Sequence, residues 1–151
     1  MNGVVWLLRL GLAGVFVYAG VVKLGDPSGF AEEIAGYRLA PGAVGRWTAV
    51  YLPWLEVVIG VGVLLPWTVR GAAMIQAGLM VVFIVALSSA WWRGLDITCG
   101  CFGGGGEPAD YGWLIGRDVV LLVGAGWVWV GTNSGGGAEP VRADGRMGPN
   151  K

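Results

Sequence analysis

The chain has 151 residues, 55% of them hydrophobic, and its 10 basic and 10 acidic side chains cancel to a formal net charge of zero. This composition fits a small membrane domain better than a soluble one. With no basic run, it excludes a nucleic-acid groove or a polybasic lipid-binding patch, so nucleic acid is not an expected partner.

Four apolar runs follow one another: Val4 to Val22, Trp47 to Leu65, Gly71 to Trp92 and Gly112 to Val130. Each has about the 20 residues that a helix needs to cross roughly 30 Å of hydrocarbon. They predict an all-α fold, an integral membrane four-helix bundle over residues 1–131 with the lipid bilayer as its surroundings. The first run has the position of an export signal, but Arg9 interrupts it and no small-residue cleavage pattern precedes Lys23; it is read as a retained span.

Between Lys23 and Arg46 the chain is too polar to span. Asp26-Pro27 reads as the cap and first turn of a short helix. Phe30, Ile34 and Tyr37 recur at helical spacing, which predicts an amphipathic helix lying on the surface between the first and second spans. Pro41-Gly42 ends it. The segment fits either a lid over the outer end of the bundle or a loop with one apolar side. Trp67, Trp91, Trp92 and Trp113 fall where helix ends meet the headgroups.

Arg9, Glu56, Arg117 and Asp118 lie inside the apolar runs, where a charge is costly unless paired, hydrated or snorkelling. With both termini on one side, Glu56 and Arg117 enter from the same face at similar depth, which leaves a pair between them open. Asp118 points about 100° away from Arg117 around the helix and needs another donor. The charges serve either as the floor of an outward-facing pocket or as a lock between helices. Pro53 either opens the turn before Glu56 or sits in the first turns of a helix that starts late. Gly11, Gly60, Gly62, Gly71, Gly78, Gly124 and Gly126 are candidates for close helix approach.

The chain's two cysteines stand in Cys99-Gly100-Cys101-Phe102-Gly103, between the third and fourth runs. A thiolate attacks a disulfide to give a mixed disulfide, and a second thiol close by resolves it. A bridge across one residue is expected to be strained and readily reduced. A static bridge, a metal site and two unreactive thiols compete with redox exchange. A zinc site normally takes four ligands. With no histidine in the chain, Glu107 or Asp110 completes one only with outside help, so no metal is expected. The lack of histidine also removes the usual base of a hydrolytic triad and the commonest haem ligand. Gly103 to Gly106 lacks the context of a nucleotide loop. A working dithiol suits an oxidising compartment, which places the cysteine segment outside the cytoplasm and both termini within it. Residues 132–151 lose the apolar pattern and are expected to form a flexible cytoplasmic tail.

Taken in order, Gly20 to Pro27, Tyr37 to Pro41, Leu52-Pro53-Trp54-Leu55-Glu56, Arg93-Gly94 leading to Cys99-Gly100-Cys101-Phe102-Gly103, and Arg117-Asp118 resemble the MauE branch of the DoxX-like membrane proteins, over roughly residues 5 to 130. The resemblance implies a four-helix protein of the bacterial inner membrane associated with methylamine utilisation. It further implies a role in maturing the disulfide-rich small subunit of methylamine dehydrogenase beside a periplasmic thioredoxin-like partner. By position, Cys99 and Cys101 are the implied redox pair, and Lys23, Glu56, Arg117 and Asp118 match recurrent polar positions. Broader relatives are linked to quinone-coupled sulfur oxidation, which implies a membrane quinone as a candidate electron acceptor.

The resulting expectation is a membrane accessory protein performing thiol–disulfide exchange at Cys99 and Cys101 for a disulfide-containing periplasmic client. Lys23, Glu56, Arg117 and Asp118 form a supporting polar pocket, and Phe30, Tyr37 and Phe102 offer an apolar dock for the partner. Two other classes compete: a non-catalytic scaffold or assembly subunit, and a small-molecule transporter resting on Glu56 and Arg117.

Overall fold

The computed structural model describes residues 3–40, 42–95 and 110–133 and is helical throughout its regular elements. Five helices follow in order: α1 (Gly3–Gly25), α2 (Pro27–Gly36), α3 (Ala43–Gly62), α4 (Val69–Trp92) and α5 (Tyr111–Asn133). Three of them, α1, α4 and α5, are long and apolar enough to cross a membrane. The fourth long helix, α3, has 20 residues, a length of about 30 Å, but Arg46, Pro53 and Glu56 dilute its apolar character and it is not among the three. The short α2 lies where an amphipathic helix was expected.

Most boundaries move outward from the sequence expectation, although α3 ends at Gly62 rather than Leu65, and two of the shifts matter. Helix α1 continues one turn beyond Val22 and carries Lys23 within it. Helix α3 starts four residues before Trp47, which puts Pro53 in the helix interior and rules out its place in a first turn. There it provides no N–H to the carbonyl of Ala49.

Local chemistry fixes the ends. Asp26 caps α2, accepting hydrogen bonds from the Gly29 N–H and the Ser28 hydroxyl, both at 2.9 Å, with Pro27 at the first helical position. Those two donors, the backbone one foremost, hold the Asp26 carboxyl below the usual carboxylate range. Arg38, just beyond α2, takes a left-handed φ of 51°. Helix α4 stops in a Schellman arrangement: Gly94, at φ 61°, donates to the Trp91 carbonyl and Leu95 donates to that of Ala90. Leu95 then packs with Leu87, Ala90 and Leu114.

The long helices alternate in direction. Arg9 near the start of α1 reaches the carbonyls of Val63 and Leu64 just beyond α3, and Arg70 at the start of α4 reaches Thr132 at the end of α5. At the opposite end, Arg93 donates to the Tyr37 carbonyl. Helix α1 packs along α3 and α4 along α5; α1 with α5 and, less extensively, α3 with α4 join the two pairs. The core between them comprises Leu12, Phe16, Ile59, Val63, Ala73, Met80, Ala125 and Val128, among others. The outside is as apolar as the inside: Leu7, Val58, Val85 and Val123 are each more than 60% exposed. That outward apolarity is what a bilayer demands of a membrane protein. Trp67 marks one end of the packed helices, and Trp91, Trp92 and Trp113 the other.

Arg9 shows how a buried charge is accommodated. It is 1% exposed, with Nε 2.8 Å from the Val63 oxygen, Nη2 2.7 Å from the Leu64 oxygen and its guanidinium over the Trp6 ring. It therefore supplies, from a neighbouring helix, donors and positive charge to the carbonyls at the C-terminal end of α3.

Glycines set the α1–α3 distance. A Cβ on Gly20 would stand 2.7 Å from the Pro53 oxygen, and one on Gly60 would stand 2.9 Å from a Val17 methyl. Of the glycines expected at close approaches, Gly60 holds that place and Gly62 meets Ala72 at ordinary contact distance. Gly11, Gly71, Gly78 and Gly126 face open space. Gly20, which the sequence did not single out, carries the closest approach to α3.

Candidate functional site

The buried stripe of α1 runs Val5, Arg9, Leu12, Phe16, Ala19, Lys23, in steps of three and four. Lys23 thus arrives in the interior as the next member of an otherwise apolar face. On α3 the corresponding stripe is Gly45, Ala49, Pro53, Glu56 and Ile59. The small residues along both stripes let the backbones approach, and Lys23 and Glu56 meet across the seam. The Lys23 ammonium lies 2.6 Å from Glu56 Oε1 and 2.8 Å from Oε2, with the two side chains 3% and 2% exposed. The same ammonium stands over the rings of Phe30 from α2 and Phe83 from α4, at 5.1 and 5.5 Å.

A second ion pair faces the first from α5. Arg117 reaches around to the next residue of its own helix, placing Nη2 2.8 Å and Nε 3.0 Å from Asp118 Oδ1. Asp118 is 1% exposed, and its other oxygen, Oδ2, has no hydrogen-bond partner among the described residues. Lys23 also lies near enough to Asp118 to act on its charge. Of the ion pairs described, Glu56 takes Lys23 and Arg117 takes Asp118, rather than the Glu56–Arg117 pair that their similar depth allows. The expectation that Asp118 needs a donor other than Arg117 failed because the long, flexible arginine side chain spans the 100° between them.

Both pairs border one cavity of about 220 Å³. Its walls are overwhelmingly apolar, with Phe16 and Ala19 from α1, Leu52 from α3 and Phe83 from α4 beside the four charged groups. Helix α2 roofs it: Phe30 is buried there, and Tyr37 is half-buried beside it. The polar positions Lys23, Glu56, Arg117 and Asp118 are therefore brought together. Phe30 faces inward beneath the roof, and Tyr37 offers its carbonyl to Arg93. Among the described residues no cluster of three or more acidic, histidine or cysteine side chains could hold a metal ion.

Sequence reasoning missed Gln76. It is 0% exposed on α4, and neither its amide oxygen nor its nitrogen has a hydrogen-bond partner among the described residues. The signal was available: it is the sole amide in the apolar run of residues 69–92. Glu33 on α2, also unremarked in the sequence, lines the cavity from its half-buried position.

Cys99, Cys101 and Phe102 lie outside the described residues, as do Pro41 and residues 134–151. The two flanks of the cysteine segment are described. The Tyr111 hydroxyl donates to the Leu95 carbonyl, and the Tyr111 ring stacks on Trp91 at 6.4 Å. The chain thus leaves α4 and enters α5 at neighbouring points on the end of the protein that also carries α2.

Comparison with known proteins gives one consistent result. The family model described as methylamine utilisation protein MauE matches residues 1–131. The methylamine utilization protein MauE of Paracoccus denitrificans is 34% identical over 119 residues, which cover 78% of this chain and 64% of the relative. The protein of the same description from Methylorubrum extorquens is 36% identical over 114 residues, covering 74% of this chain and 61% of the relative. The chain spans less than two thirds of the length of these curated relatives. No solved structure matches it.

Proposed function

The chain belongs to the MauE family of methylamine utilisation proteins, and from that premise we propose that it is a membrane redox accessory protein performing thiol–disulfide exchange for the maturation of a periplasmic client. The observation that carries the reading is the Cys99-Gly100-Cys101 unit in the connection between α4 and α5. In this proposal all four long helices cross the inner membrane, both termini are cytoplasmic and the cysteines face the periplasm. The small, disulfide-rich subunit of methylamine dehydrogenase is the candidate client, and a thioredoxin-like protein is the candidate partner.

The exchange balances within this set. A thiolate of Cys99 or Cys101 attacks a client disulfide, forming a mixed disulfide and releasing one client sulfur as thiolate. The second cysteine attacks the mixed bond, re-forming the Cys99–Cys101 bridge and releasing the other client thiol. Two electrons have then passed to the client, and the thioredoxin-like partner returns two to the bridge. Run in reverse, the same steps oxidise the client and reduce Cys99 and Cys101. The paired charges beneath α2 have a supporting role, holding the helices that frame the cysteine connection.

A Cys99→Ser/Cys101→Ser double variant tests the proposal when client binding and client disulfide state are scored separately. Retained binding with lost exchange supports it. Retention of both identifies a scaffold whose cysteines are dispensable.

A further inference from the structure

The chamber beneath α2 offers a guest almost nothing but hydrocarbon. Glu33, Glu56 and Asp118 border it together with Lys23 and Arg117, yet Glu56 is engaged by Lys23 through both oxygens and Asp118 Oδ1 by Arg117. Lys23, Glu56 and Asp118 are buried, and the wall is dominated by apolar side chains such as Phe16, Leu52, Met80 and Phe83. Three carboxylates against two cations leave one net negative charge, which repels an anionic head group from the interior. Water finds few partners in such a chamber, and an empty one forfeits the dispersion contacts of its lining. An apolar cavity of about 150 Å³ takes the six carbons of benzene, and by that measure this one, at about 220 Å³, takes about nine, roughly half of a phospholipid acyl chain.

The chamber opens sideways and is overhung by positive charge. Among its lining residues, Leu39 after α2 and Val82 on α4 are exposed, at 49% and 59%, and they mark its way out. They flank a slot between α3 and α4, the adjacent long helices that meet least extensively. Val82, Ala86 and Arg93 follow one another at steps of four and seven, so they share one face of α4 and its C-cap. Arg93 stands about 16 Å from Val82 along the helix axis, the depth of one leaflet in a bilayer with about 30 Å of hydrocarbon. At the top of the slot Arg93 donates to the Tyr37 carbonyl, in the peptide that leads into Arg38. Both arginines are exposed. Each guanidinium has several donors beyond the one that Arg93 spends there, and two of them at this level fit a phosphate.

We infer that the slot between α3 and α4 is a phospholipid site, in which one acyl chain enters past Val82 and ends in the chamber against Phe16 and Met80 while the phosphate lies between Arg38 and Arg93. The inference rests on the proposed placement of the four long helices in the bilayer and is independent of the thiol chemistry proposed above. The bound chain fills a void that the protein's own side chains leave. Its phosphate ties the end of α2 to the end of α4, from which the connection carrying Cys99 and Cys101 departs.

The experiment uses the full chain in phosphatidylcholine nanodiscs doped, at equal mole fraction, with one of two photoprobes. One is a phosphatidylcholine and the other a diacylglycerol, each carrying a diazirine near the end of a hexadecanoyl chain. Adducts are mapped by mass spectrometry. Phe16 and Met80 are buried and are reached through the chamber, whereas the exposed Val58 and Val120 report contact with bulk lipid and so the placement of the helices. Normalised to Val58 and Val120, the phosphatidylcholine probe is expected to label Phe16 and Met80 about tenfold more than the diacylglycerol probe, the low end for a hydrogen bond to a charged group. Arg38→Gln/Arg93→Gln should bring that ratio close to one. Leu52→Trp, which fills the chamber, should suppress the Phe16 and Met80 adducts of both probes, with circular dichroism reporting that each variant is folded. Adducts confined to Val58 and Val120 overturn the inference while leaving the membrane placement intact, and a protein that neither probe labels overturns both. Equal labelling of Phe16 and Met80 by the two probes also overturns it, as does a preference that survives in folded Arg38→Gln/Arg93→Gln. The wild-type comparison decides the matter even where a variant fails to fold.

Discussion

The buried Lys23–Glu56 pair should behave as a unit whose halves are each worse alone than both are together. Removing one partner of a buried pair leaves an uncompensated charge and costs about 3–5 kcal/mol. The two ends of that range can be assigned from the structure. In Glu56→Gln, the Lys23 ammonium still has Asp118 near it, and one oxygen of that carboxylate has no partner among the described residues, so the loss should be near 3 kcal/mol. In Lys23→Met, Glu56 loses its contacts on both oxygens, and Arg117, the other cation lining the cavity, is already paired with Asp118; the loss should approach 5 kcal/mol. The double variant Lys23→Met/Glu56→Gln leaves no lone charge and should lie within about 1 kcal/mol of wild type, a strongly favourable coupling in the double-mutant cycle. Reversible unfolding in mixed micelles, followed by helical circular dichroism as denaturing detergent is titrated, measures all four proteins. Additive losses, or single variants indistinguishable from wild type, would refute the reasoning.

Arg9→Met should destabilise the same preparation by about 2–3 kcal/mol, because two carbonyls beyond α3 lose charged donors, and Arg9→Lys should restore only part, since an ammonium lacks the guanidinium fork. Gly20→Ala should cost about 1–3 kcal/mol by forcing a methyl against the Pro53 carbonyl; Gly11→Ala, where the added carbon meets nothing within 4 Å, should be neutral or stabilising by up to about 1 kcal/mol. The Asp26 cap should be pH dependent. Its carboxyl is depressed in the folded state, so the stability it confers is complete above the unfolded pKa of about 4 and is lost as pH falls through the lower folded value. Hydrogen exchange of the Gly29 amide should accelerate relative to the intrinsic rate over that window in wild type and show no such step in Asp26→Asn, whose side chain caps without titrating.

The helices were legible because apolar runs of membrane length leave the chain little choice of secondary structure. The Asp26-Pro27 cap was legible because capping is local. Lys23 was the harder case. It opens the first polar stretch and so reads as a loop residue, yet it continues the stripe Val5, Arg9, Leu12, Phe16, Ala19 at helical spacing, and that continuation is the signal for burial. Glu56 and Asp118 sit on buried stripes in the same way. Reading charges by their helical phase, rather than by depth alone, pairs Lys23 with Glu56 and removes the reason to pair Glu56 with Arg117. The cavity follows from packing between distant segments, which no local pattern encodes, and so does the lack of partners, among the described residues, for one Asp118 oxygen and for the Gln76 amide. The same holds for Gly20, whose importance comes from the carbonyl that Pro53 presents to it.

The central claim is that Cys99 and Cys101 form a working redox pair, and their reduction potential in the lipid-embedded protein tests it most directly. Thiol trapping across a glutathione redox series, with a membrane-impermeant reagent to score access, should find an exchangeable pair poised well above about −300 mV. A bridge resistant to the whole series, or two thiols that never pair, would contradict the account and leave the protein as a membrane scaffold.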